Sequence, residues 1–126
     1  MWFALDNEPL APLYRGSTIF TSKPNATRPG FAKLNDPVGD AAKIADLVRR
    51  GFIVRTRADV DTVQARTNDT TMRDAALASG AQLVSTDYLT PDTRFSSYRV
   101  ALPGGQVARC DPVNAPPACK DAALRP

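Results

Sequence analysis

The densest group of chemistry-bearing side chains lies between Gly51 and Tyr88. An apolar run, Phe52 to Val54, gives way to Arg55, Arg57, Asp59 and Asp61. A second run, Gln82 to Ser85, gives way to Thr86, Asp87 and Tyr88. Upstream, Phe31 to Leu34 carries Lys33 and closes on Asn35 and Asp36, and Trp2 to Leu5 closes on Asp6 and Asn7. Parallel strands that deliver polar groups at their carboxyl ends build the ligand sites of α/β folds. Cations at 33, 55 and 57 could hold a phosphate, which arginine does with a bidentate fork. Carboxylates at 6, 59 and 87 could orient substrate groups or neutralise the arginines. Arg55 and Arg57 share one face of a strand by its period of two. An Arg–Asp lattice that only closes one end of a barrel satisfies the same pattern. Lys33 could equally reach the surface, and Asp87-Tyr88 could be a cap and a packed aromatic. Asp69, Arg73 and Asp74 read as a solvated helix face.

Other chemistries are excluded by what is missing. None of the 126 residues is histidine, so no Ser-His-Asp triad can form within them. There is no P-loop, GxGxxG or GxSxG. The net charge of +3 and pI near 9.1 come from 16 dispersed Lys and Arg, with no run longer than Arg49-Arg50. That pattern gives only weak support for nucleic-acid or polybasic membrane binding and suits an anionic substrate just as well. Cys110 and Cys119 flank the loop-like DPVNAPPA. A disulfide pinning the tail is expected of an exported protein, and two free thiols are the alternative. The N-terminal MWFALDN lacks a basic start and a long apolar run, so it does not read as a signal peptide. No stretch reaches the roughly 18 apolar residues of a membrane span.

The elements that must position these residues follow from periodicity and punctuation. Trp2 to Leu5 reads as a buried strand. Asn7 to Gly30 reads mostly as loop, with a possible short strand at Ser17 to Thr21. Phe31 to Leu34 is the next strand. A helix opens at Pro37, capped by Asp36, or starts later with Asp40 as its cap. Ile44, Leu47 and Val48 form its apolar face, and Gly51 stops it. Phe52 to Val54 is a strand. Asn68 caps a second helix with Met72, Ala75, Ala76 and Ser79 on one face and Gly80 as its stop. Gln82 to Ser85 is the following strand. Ser97 to Leu102 and Gln106 to Cys110 flank Pro103-Gly104-Gly105 as an expected hairpin, and the rest is an irregular tail.

Strands alternating with helices imply parallel crossover units and an α/β fold. The four strand positions are spaced as in a (β/α)8 barrel, which takes about 250 residues. The expectation is therefore half of a TIM-type barrel over residues 1–102, with a tail over 103–126 that carries the hairpin return strand.

Several segments taken in order carry a resemblance: FAKLNDP at 31–37, GFIVRTRAD at 51–59, ARTND at 65–69, RDAALASGAQ at 73–82, STDY at 85–88, YRVALP at 98–103 and ARCDPV at 108–113. The chain resembles the C-terminal half of the bacterial and fungal calcium-dependent phosphoinositide phospholipase C family, phosphodiesterases built on a TIM-type barrel. The resemblance implies a phosphoric diester hydrolase, with two histidines as general base and acid, calcium as cofactor, and an extracellular or periplasmic setting. The histidines and most calcium-binding carboxylates would come from the N-terminal half of the barrel. The substrate side would fall to Lys33, Arg55 and Arg57 near phosphate or inositol hydroxyls. Asp59 and Asp87 would be orienters, and Tyr88 a stacking or packing group. The implied partners are a phosphoinositide or other phosphodiester and an N-terminal half-barrel. Two other readings stand beside this one: a non-catalytic half-barrel that self-associates, and a relative of the glycerophosphodiester phosphodiesterases.

Overall fold

In the computed structural model, residues 30–106 and 108–124 are described. Strand β1 (Phe31–Lys33), helix α1 (Ala41–Arg49), strand β2 (Ile53–Arg57), helices α2 (Val63–Thr67) and α3 (Thr71–Ala78), and strand β3 (Leu83–Ser85) follow one another in the chain. The strands form a parallel sheet in the order β1-β2-β3, in register Lys33 with Arg55 and Arg57 with Ser85. The result is a mixed α/β unit with helical crossovers, as alternating strand and helix patterns require. The strand expected at Trp2 to Leu5, and the possible one at Ser17 to Thr21, lie outside the described residues.

Period-two alternation decides which face of β2 is covered. Val54 and Thr56 are fully buried, whereas Ile53, Arg55 and Arg57 on the opposite face are exposed or half-buried. Helix α1 presents Ile44, Leu47 and Val48 to Ala32, Leu34, Phe52 and Val54. Full burial of such side chains contributes about 1.5–3 kcal/mol each. A second cluster joins Ala58, Ala65, Ala76, Tyr88, Tyr98 and Val100. It forms where α2 and α3 pack beside the carboxyl end of β2.

The helix ends separate two kinds of signal. Gly51 has φ 83°, its N–H donates to Val48 O, and the Phe52 N–H donates to Leu47 O. Those two bonds close α1 in a Schellman turn that glycine enters without steric cost. At the other end, α1 begins at Ala41, four residues after Pro37. Asp36 instead accepts the Gly39 N–H at 2.9 Å within the preceding turn, and Asp40 occupies the cap position without a side-chain bond. Asn68 corrects the sequence reading. It ends α2 in the left-handed region at φ 53°, and α3 starts after Thr70. Asparagine tolerates that backbone, so one residue type serves both roles.

The expected hairpin does not form among the described residues. Pro103–Gly105 is a single 3-10 turn with Gly104 and Gly105 at φ 70° and 68°. The flanking segments bond to other elements rather than to each other. Val100 N–H donates to Tyr88 O at 2.8 Å, and the Arg109 guanidinium donates to Leu77 O at the end of α3. The tail then folds back. Cys110 and Cys119 are joined in a disulfide, the Asn114 amide donates to Val48 O, and Val113 packs against the α1 cluster.

Candidate functional site: two arginines at the carboxyl end of a parallel sheet

Parallel strands and a period of two put Lys33, Arg55, Arg57 and Ser85 on one face of the sheet. It is the face α1 leaves uncovered. Arg55 and Arg57 are two strand residues apart, about 7 Å along β2. Each guanidinium is fixed by neutral acceptors. Arg55 Nη1 donates to Asn35 Oδ1 at 2.9 Å and Nη2 donates to Ser85 Oγ at 2.8 Å. Arg57 Nε donates to the Asp59 carbonyl at 2.7 Å. Among the described residues neither arginine has a carboxylate partner; the ion pairs use Arg50, Arg73 and Arg94. Two oriented, uncompensated guanidiniums carry the charge and donor geometry for a phosphate-type anion. Lys33 is exposed on β1, in register beside Arg55.

The carboxylates behave differently. Asp59 is 2% exposed and both of its oxygens are used inside the protein. Oδ2 accepts the Thr86 hydroxyl at 2.5 Å and the Tyr98 hydroxyl at 3.4 Å, and Oδ1 accepts the Asp87 N–H at 3.1 Å. Tyr98 also donates to Ala58 O at 2.9 Å. Asp59 thus ties the loop after β3, and the segment at Tyr98, to the end of β2. Burial first, and the Asp59 charge next, push the Tyr98 phenol up to about 12. Tyr88 is raised by the same two causes in the same order. Its ring meets Tyr98 edge-on at 5.6 Å and is 7% exposed, so it packs rather than presenting a face to solvent. Asp87 is exposed, and its backbone, not its side chain, is what Asp59 holds.

The structure therefore brings Lys33, Arg55 and Arg57 to one face, places Asp59 and Tyr88 in the supporting core, and leaves Asp87 on the rim. Asn35, Ser85 and Thr86, which the sequence places at strand ends without assigning them a role, and Tyr98, which it does not single out, are the positioning residues. Their partners lie 20 to 39 residues away in the chain, so no local spacing reports them.

An α/β unit with an anion-ready arginine pair at its strand ends is the class of structure in view. The family model for Ca2+-dependent phosphoinositide phospholipase C matches residues 3–112, and the chain belongs to that family. No curated protein and no solved structure shows a significant match.

The family description implies calcium. Among the described residues no group of three or more His, Cys, Asp or Glu could hold a metal ion. Asp59, the one carboxylate among the described residues buried beside the arginines, has both oxygens occupied by hydrogen-bond donors. These residues do not fit a calcium centre.

Proposed function

We propose that this chain supplies the phosphate-binding wall of a phosphoric diester hydrolase of the phosphoinositide phospholipase C type, arranged as part of a TIM-type barrel. The observation that carries the reading is the Arg55–Arg57 pair. Both are anchored by neutral acceptors on the uncovered face at the carboxyl end of a parallel sheet. In phosphodiester cleavage, negative charge builds on the non-bridging oxygens, and preorganised donors aimed there lower the barrier. Arg55 and Arg57 bind and hold those oxygens, Lys33 adds charge beside them, and Asp87 orients hydroxyls at the rim. Asp59 acts through Thr86, Asp87 and Tyr98 by fixing that rim in place.

The general acid and base are not among these residues, since the sequence holds no histidine. They belong to a complementary part of the barrel, and the chain alone is inactive on this reading. The described residues do not form a calcium site. The disulfide fits an extracellular or periplasmic setting.

A second reading has its own support. Ile53 and Leu83, on the same face as the arginines, are 41% and 43% exposed. An uncovered apolar face favours association, so a self-associating, non-catalytic half-barrel that binds phosphate without cleaving it is the alternative. The two readings separate in one assay. The chain is combined with the N-terminal half of a family member and phosphatidylinositol cleavage is measured. Cleavage that Arg55→Gln and Arg57→Gln abolish supports the enzyme reading. A well-folded, inactive complex supports the binding module.

A further inference from the structure

Two clefts lie away from the arginine wall, and they adjoin through three shared lining residues. One, of about 500 Å³, is lined by Arg73 and Asp74 of α3, by Arg99, and by the Pro103–Gly105 turn. The other, of about 540 Å³, has the apolar side chains of Val84, Leu89, Val100, Ala108 and Pro112 in its lining beside polar ones such as Gln106. Leu77, Ala101 and Leu102 line both. Both volumes fall in the roughly 300–1,000 Å³ of small-molecule sites. The second cleft takes Gln82, Val84 and Thr86 from the β3 segment. By alternation these face away from Leu83 and Ser85, hence away from Arg55 and Arg57.

The two ends differ in chemistry. At the first, Arg73 is braced by Asp74 and by Arg99 O. Arg99 is exposed, and no described acceptor engages its guanidinium. Two cations against one carboxylate leave a net positive end. Gly104 and Gly105 border open space at its mouth, since a Cβ on either would meet nothing within 4 Å. At the second end, Leu89 is 75% exposed beside buried Val100. Its polar groups are mostly engaged within the protein. Arg109 donates to Leu77 O, and Asp111 Oδ1 accepts the N–H groups of Val113 and Asn114.

We propose that this groove binds a single-chain anionic amphiphile, with its headgroup at Arg73 and Arg99 and its hydrocarbon chain against Val84, Leu89 and Val100. The charge of one end and the apolar lining of the other are joined by shared residues, which matches one molecule with both characters. The site is separate from the phosphate wall and does not depend on it.

The test is calorimetric titration of the full chain with lauroyl lysophosphatidate below its micelle concentration. Parallel titrations use neutral monolauroylglycerol and inorganic phosphate. All are repeated in an Arg55→Gln/Arg57→Gln background, which silences the phosphate wall. The expected result is saturable binding in both backgrounds, weakened about tenfold or more by Arg99→Gln, as loss of a charge-assisted bond implies. Leu89→Asp, a change at an exposed position, weakens it similarly, and the neutral lipid and free phosphate bind at least tenfold more weakly. Four results would each overturn the proposal: no binding, equal affinity for the neutral lipid, indifference to both Arg99→Gln and Leu89→Asp, or binding abolished by the Arg55/Arg57 background alone.

Discussion

The Arg55 guanidinium reaches across the β2–β3 pair to the Ser85 hydroxyl at 2.8 Å, and that hydroxyl donates in turn to the Thr56 carbonyl at 3.2 Å. The bond holds a cation upright on the uncovered face without neutralising it. A carboxylate at position 85 would have held the arginine equally well and cancelled its charge. The neutral clamp separates an anion-binding arginine from a structural ion pair, and the wall's function rests on that difference.

Asp59 is the keystone beneath the wall. Asp59→Ala leaves the Thr86 hydroxyl and the Asp87 N–H without their shared acceptor, while the Tyr98 hydroxyl keeps its bond to Ala58 O. Unpaired buried donors cost roughly 1–3 kcal/mol each, partly recovered by water. The expected loss is about 2 kcal/mol or more, read as a lowered urea midpoint at constant m-value.

Thr56 runs the other way. It is fully buried, and its hydroxyl has no hydrogen-bond partner among the described residues. Thr56→Val keeps the shape and removes an unpaired polar group, so stability should rise by about 1 kcal/mol. Thermal denaturation of the two proteins side by side checks the sign.

Tyr98 makes the fold sensitive to alkali. Its folded phenol titrates at about 12, above the ordinary value of 10. A raised pKa means that the folded state holds the proton more tightly. The contribution is full below pH 10 and is lost as pH rises through 12. Between those limits stability should fall by about 1.4 kcal/mol per pH unit from this group. Tyr98→Phe lacks the group, so its denaturation midpoint should fall less steeply over the same window.

Gly80 closes α3 at φ +79°, and a Cβ there would lie 2.5 Å from Val113 Cγ2. Gly80→Ala adds the left-handed backbone cost of roughly 1–2 kcal/mol and displaces Val113 from the core. The expected loss is about 2–3 kcal/mol by denaturant titration. Gly104→Ala has a positive φ but open space around it, so only the backbone cost should appear.

Much of the framework was legible locally. The strands at 31, 53 and 83 follow short apolar runs, and Gly51 and Gly80 stop their helices because each end needs a positive φ. The parallel order followed from strand–helix alternation. What was not legible depended on distant partners. Arg57 and Asp59 look alike in the run RTRAD, yet one stays at the surface and the other is buried by Thr86 and Tyr98, 27 and 39 residues further on. Asn68 could cap a start or an end, and only the short helix α2 decided between them. The Pro-Gly-Gly turn was recognisable, but its flanks pair with Tyr88 and Leu77 instead of each other.

The most direct test is the affinity of the chain for an inositol phosphate, measured by calorimetry for the parent, Arg55→Gln, Arg57→Gln and Arg55→Lys. Each glutamine variant should bind about tenfold or more weakly while its thermal midpoint moves little, because neither guanidinium holds a buried carboxylate. Arg55→Lys should fall short of the parent, since an ammonium lacks the planar fork. Undiminished affinity in both glutamine variants would contradict the account: the two arginines would then be surface charge and not the wall of a phosphate site.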